Sequence, residues 1–135
     1  MTRSQYSAPG SARILVLSLM LLFFAIPHTL EDFALGEPAK AGVSAPVLSF
    51  AIALMIALQA VGIYWLGQGL RRGALVHVAI GLFWPIAAGM AQLPIIVTGA
   101  PYRAGAFSVL YVGGMIVVGL LVSTSALVAL IKKNL

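Results

Sequence analysis

Four long apolar runs divide this chain, and each approaches the roughly 20 apolar residues that a helix needs to cross a ~30 Å hydrocarbon core. They cover about residues 14–35, 46–67, 73–93 and 104–131. Inside a bilayer every backbone N–H and C=O must be satisfied within the protein, so single runs of this length fold as helices. With 61% hydrophobic residues, 8% charged residues and a mean hydropathy of +1.08, a water-soluble fold would leave large apolar areas facing solvent. The expected fold is therefore all-α, a polytopic four-transmembrane-helix bundle, with residues 1–135 as a single integral membrane domain. The chain has no Cys, which excludes disulfides, thiolate metal sites and Cys nucleophiles.

The connections are marked by Gly, Pro, Ser and charge in GEPAKAGVSA, GQGLRRG and PIIVTGAPYRAG. A signal peptide is the competing account of the first run, since Arg3 and Arg13 precede it, but no small-x-small cleavage site follows. Arg3, Arg13, Arg71, Arg72, Lys132 and Lys133 fall on one side of the expected bundle, and only Lys40 and Arg103 on the other. The positive-inside rule then places both termini in the cytoplasm of a multi-pass protein of the cell membrane. The formal net charge of +5 is explained by basic loops near anionic lipid and calls for no nucleic-acid partner.

All three acidic residues, Glu31, Asp32 and Glu37, follow the first run, in and just after the phrase Pro27-His28-Thr29-Leu30-Glu31-Asp32. An ionisable group at membrane depth costs roughly 2.5–3.5 kcal/mol on insertion scales, so such a group needs a function or a route to water. At 100° per residue, His28, Glu31 and Asp32 project from a helix within an arc of about 100° and face one neighbour or one cavity. A rise of ~1.5 Å per residue puts His28 about 21 Å along the first helix from Ile14, in its outer third. Ser49, Gln92 and Tyr111 are expected at similar height, with Tyr102 and Arg103 hanging over them. His77 belongs nearer the inner side, level with Gln59, so the two histidines are not expected to meet.

Two readings of the acidic stretch stay open. Pro27 can kink a continuing helix, which directs the trio into the bundle. Alternatively it ends the helix, with Thr29-x-x-Asp32 as a capping box and Leu30–Leu35 as a short interfacial helix whose carboxylates are solvated. As a functional cluster the trio suits acid/base chemistry, with one carboxylate as the acid and His28 as its partner. Three ligands on one helix are too few to fix a metal, so neither a metal nor a cofactor is expected.

Other polar and small residues give weaker signals. His77 shares a helical face with Gly81, Trp84 and Ala88, a packing seam or part of an inner path. Gln59 is expected to bond a neighbouring helix. Ser49, Ala53, Ala60, Tyr64 and Gly67 form a mostly small stripe read as a packing surface. Gly113-Gly114 and Gly119-x-x-x-Ser123 permit close approach within the bundle or between protomers. Pro85 beside Trp84 is expected to kink the third helix and open a cavity.

At His28-Thr29-Leu30-Glu31-Asp32 the chain resembles the bacterial integral-membrane family called HXXEE, with Asp32 where that pattern has its second Glu. The resemblance implies a small helical membrane protein and supplies no reaction. In site style the cluster is also similar to the membrane sterol isomerases of the emopamil-binding class, whose His and Glu groups move protons on a lipophilic substrate.

The function expected from these residues is binding of a lipophilic small molecule in an outer-side cavity. If the protein is an enzyme, metal-independent acid/base chemistry is expected there, such as isomerisation, cyclisation or epoxide opening. His28, Glu31 and Asp32 are the candidate catalytic residues, and Trp84, Gln92 and Tyr111 the candidate substrate contacts. The alternative is a non-catalytic accessory subunit or assembly factor, with a homo-oligomer or a larger membrane complex as partner. A proton-coupled transporter ranks third, since no acidic residue lies deep in the runs.

Overall fold

The computed structural model describes residues 9–99 and 101–132. Arg3 and Lys133 lie outside them. Five helices follow in order: α1 Pro9–Ala34, α2 Glu37–Lys40, α3 Ala45–Gly67, α4 Arg71–Val97 and α5 Ala106–Lys132. No strand occurs among the described residues, and α1, α3, α4 and α5 are each long and apolar enough to cross a bilayer. The chain is a multi-pass, all-α membrane protein. One end of the bundle carries Arg13, the α3–α4 turn with Arg71 and Arg72, and Lys132; this is called the basic end. The other carries α2 and the α4–α5 loop and is called the acidic end.

The long helices form a ring in which α5 packs on both α4 and α1, α3 packs on α4, and a slighter α1–α3 contact closes the circle. Lipid tails are as apolar as Leu, so close approach and polar contacts hold such a ring together more than hydrophobic burial does. Glycine provides the approach. A Cβ on Gly81 would lie 2.6 Å from the Ser123 nitrogen, and one on Gly119 would lie 2.5 Å from Pro85 Cγ, so α4 and α5 interlock through their small residues. The Gly119-x-x-x-Ser123 stretch is thus spent within the bundle. Gly73 likewise sits where a Cβ would lie 2.6 Å from the Leu66 nitrogen, which clamps α3 to α4 beside their connecting turn. The ring of Phe24 on α1 fills the notch at Gly114, while Gly113 faces open space.

The structure decides between the two readings of Pro27 and corrects the reading of the α3 stripe. Helix α1 continues through Pro27 to Ala34. Thr29 caps nothing; its Oγ1 donates 2.8 Å back to the Ala25 carbonyl, a bond within the helix that competes with the capping box. Under the alternative reading Leu30–Leu35 would have formed a separate interfacial helix; residues 30–34 instead close α1, and the four-residue α2 follows, entered through Gly36 at φ 68°. On α3, the stripe of Ser49, Ala53, Ala60, Tyr64 and Gly67 is exposed and not a packing surface. The buried residues of α3 are Gln59, Gly62 and Leu66, all in the half towards the basic end. Gln59 decides the helix rotation, because its amide must find partners inside the protein.

Those partners form the polar node of the mid-bundle. Gln59 Nε2 donates to the Ser18 carbonyl at 2.9 Å and to Ser18 Oγ at 2.8 Å. His77 Nδ1 lies 2.7 Å from the Gly73 carbonyl, which can only accept, so Nδ1 carries the ring proton. Ser18 Oγ then donates to His77 Nε2 across 3.0 Å. This node ties α1, α3 and α4 together with uncharged groups only, and Ser18, Gln59 and His77 are all fully buried.

Candidate functional site

At the acidic end the side-chain carboxylates of Glu31, Asp32 and Glu37 converge on one guanidinium. Because α1 stays helical, His28, Glu31 and Asp32 share a face at i, i+3 and i+4, and that face turns inward: His28 is only 5% exposed. His28 Nε2 lies 3.6 Å from Asp32 Oδ2 and Nδ1 lies 4.0 Å from Glu31 Oε2. Both separations are in ion-pair range yet too long for hydrogen bonds.

Arg103 reaches into this group from the α4–α5 loop. Its Nη1 donates to Asp32 Oδ1 and stands 4.0 Å from Glu31 Oε2, while Nη2 is 3.8 Å from Glu37 Oε2 on α2. The Arg103 side chain is 9% exposed, so the pairing with carboxylates is what makes its burial tolerable. The backbone of Arg103 has φ 43°, a left-handed conformation that costs a non-glycine residue on the order of 1–3 kcal/mol and persists only when surroundings over-determine it. Here the carboxylates across the bundle hold it. Glu37 also accepts from Lys40 Nζ at 2.8 Å, and this bond holds its carboxyl below the usual range.

Ser108 completes the frame. Its Oγ accepts from the Ala104 N–H at 3.0 Å and donates to Glu31 Oε1. Ser108 lies in the first turn of α5, a turn with no acidic residue of its own, and Glu31 brings a carboxylate to that positive helix end. Beside the cluster, Tyr102 OH donates to Gln92 Oε1 at 2.7 Å. Burial pushes the Tyr102 phenol up from 10.0 to about 12, which keeps it a donor. Among the described residues, no group of three or more His, Cys, Asp and Glu side chains is arranged to hold a metal ion.

The structure thus brings His28, Glu31 and Asp32 together and joins them to Arg103, Ser108 and Glu37. Gln92 is buried and engaged by Tyr102. Trp84 is buried in the apolar core shared with Tyr102 and Ala88, and its Nε1 has no hydrogen-bond partner. Tyr111 is half-buried and makes no hydrogen bond to the cluster; Ser108, three residues earlier on α5, holds the polar contact instead. Ser49 does not join the site: it is exposed and donates 2.8 Å to its own helix at Ala45. His77 binds Ser18, ten residues before His28 on α1, about 15 Å along the axis, so the histidines belong to separate networks.

Two fully buried atoms of the cluster have no hydrogen-bond partner, His28 Nδ1 and Glu31 Oε2, and they face each other. Ser108 fixes the other Glu31 oxygen, and Arg103 holds Asp32. The frame is occupied while its centre keeps unspent donor and acceptor capacity. No family model, no curated protein and no solved structure matches the chain.

Proposed function

We propose that this membrane protein acts by proton transfer on a lipophilic small molecule at its acidic end, with Glu31 as the acid/base group and His28 as its relay. The observation that carries the reading is the buried, mutually facing and unbonded pair of His28 Nδ1 and Glu31 Oε2. Most buried polar groups are partnered; Ser11 Oγ, Gln59 Oε1 and Trp84 Nε1 are exceptions too, but among the described residues only here do an imidazole and a carboxylate stand unpartnered face to face. Charge supports it too. Glu31, Asp32 and Glu37 against Arg103 and Lys40 leave one negative charge with His28 neutral, so uptake of one proton neutralises the group.

Asp32 takes a holding role in this scheme, because Arg103 already occupies it. Trp84, Gln92 and Tyr111 are the contacts proposed for the body of the substrate. The reactions that fit are those driven by one placed proton, namely isomerisation, cyclisation and epoxide opening. By the positive-inside rule the basic end is cytoplasmic, which puts both termini in the cytoplasm and the acidic end on the outer side of the cell membrane.

The test compares lipid extracts, by mass spectrometry, from cells making the wild type or Glu31→Gln. The wild type should convert at least one lipophilic species, and Glu31→Gln should leave it at the level of cells without the protein, at equal amounts of folded protein. Identical extracts from both would refute the reading. A second reading, an accessory subunit of a larger complex, is favoured by α3, whose acidic-end half has no buried residue and offers Val47, Phe50 and Leu54 to the surroundings. Under that reading the protein co-purifies with a partner, and Phe50→Ala with Leu54→Ala weakens the association while Glu31→Gln does not.

A further inference from the structure

His28 Nδ1 and Glu31 Oε2 are 4.0 Å apart, too far for a direct hydrogen bond and well placed for one atom between them. Neither can readily turn away. Glu31 is anchored through its other oxygen to Ser108, and the far side of the His28 ring faces Asp32 Oδ2 at 3.6 Å. An atom about 2.8 Å from each closes a triangle with an apex of about 90°, an angle that an sp3 oxygen accommodates. His28 Nδ1 and Glu31 Oε2 supply the two polar partners that a bound oxygen needs at the least, and Arg103 Nη1 stands 4.0 Å from Glu31 Oε2.

We infer that the ligand group of this site is a protonated oxygen, from water or from an alcohol hydroxyl, bridging His28 Nδ1 and Glu31 Oε2. Its role in turnover rests on the proton-transfer reading; its binding does not. The proton inventory narrows the class. In neutral His28 the proton belongs on Nε2, which faces the nearer carboxylate oxygen, so Nδ1 is an acceptor. Glu31 Oε2 is an acceptor as well, and the bridging oxygen must donate twice, as water does and an alcohol cannot. When the ring carries both protons Nδ1 donates, and an alcohol accepts from it while donating to Glu31. With Glu31 ionised, ether and ketone oxygens have no proton to give it; an epoxide oxygen fits only once Glu31 itself carries the proton that it delivers. A carboxylate ligand would add a fourth negative charge to a cluster that holds three.

The chain has two histidines, so 15N labelling of His gives two imidazoles, with His77 as internal control. The experiment uses the full chain in lipid nanodiscs, with 1-dodecanol as the probe and dodecane as its oxygen-free counterpart. A magnetisation-transfer peak from water to the His28 ring, unchanged by dodecanol, assigns water. A saturable dodecanol shift at His28, absent with dodecane and absent at His77, assigns an alcohol. Either result supports the inference. Glu31→Ala should then remove the water peak or weaken the dodecanol response about tenfold, the scale of one hydrogen bond to a charged group. A His28 ring without water contact and without response to dodecanol overturns the inference. Because the readout is binding, a bridged oxygen in a protein whose Glu31→Gln variant leaves lipid extracts unchanged would retain this inference and remove the proton-transfer reading alone.

Discussion

His77 and His28 are both buried, yet the first has both ring nitrogens in hydrogen bonds and the second has an unbonded Nδ1 beside a carboxylate. The node around His77 is neutral: an amide, a hydroxyl, an imidazole and two backbone carbonyls, with each ring nitrogen matched to one partner. The cluster around His28 is charged, built from three carboxylates and a guanidinium, and its direct bonds bypass the imidazole. The difference follows from depth. Inside the helix ring a charge would have neither water nor a counter-ion to reach, so neutral groups link the helices there. At the acidic end the carboxylate side chains of Glu31 and Asp32 retain 14% and 24% exposure, which lowers the cost of keeping them ionised. One histidine is bonded into the helix node through both ring nitrogens, and the other stands buried among charged groups with Nδ1 unbonded.

Breaking the mid-bundle node should have the largest effect on stability. His77→Phe leaves the Ser18 hydroxyl without its acceptor and crowds Gly62, where a Cβ would already lie 2.9 Å from His77 Cε1. The expected loss is about 3 kcal/mol, read by denaturant titration of helicity, with lipid products per folded molecule unchanged. A smaller loss of about 2 kcal/mol is expected for Arg103→Gln in the same titration, since partly exposed carboxylates regain some water when the guanidinium goes. Arg103→Lys should recover only part of it, because an ammonium cannot reach several carboxylates in a fixed fork. If His77→Phe were harmless to stability but abolished conversion, the assignment of roles to the two regions would be reversed.

A still smaller effect sharpens the comparison through pH. Tyr102 ionises at about 12 in the folded protein against 10.0 as an ordinary phenol, raised mainly by burial. An unfolded chain therefore releases this proton first, and the contribution of Tyr102, fully present below pH 10, falls as pH rises towards 12. Phenolate absorbance should show a step near 12 that Tyr102→Phe removes. A Tyr102 step near 10 would mean that the acidic end is wetter than its geometry implies.

The architecture was legible because four apolar runs of bilayer length leave few alternatives, and the acidic stretch was legible because its charges have no equal elsewhere in the chain. Rotation of the helices was not. In a membrane the lipid-facing and core-facing sides are both apolar, so no amphipathic period marked the buried face of α3, and small residues suggested the wrong one. Gln59 was the reliable signal there, since a lone amide must point inward. The Thr29 capping box failed because a side-chain bond to Ala25 and a continuous helix satisfy the same groups locally. Ser108 went unnoticed because its meaning lies in Glu31, 77 positions away in sequence, and Ser18 for the same reason with Gln59 and His77.

The central claim, that one histidine is locked and the other poised, reduces to where each ring keeps its proton. His77 should be the Nδ1–H tautomer, donating to Gly73, and neutral His28 the opposite Nε2–H tautomer, with its proton towards Asp32. Ring 15N shifts of the two labelled imidazoles, assigned through His77→Phe, measure this directly. Opposite tautomers are the predicted result. The Nδ1–H form at both positions, with His28 bonded to Glu31, would contradict the account.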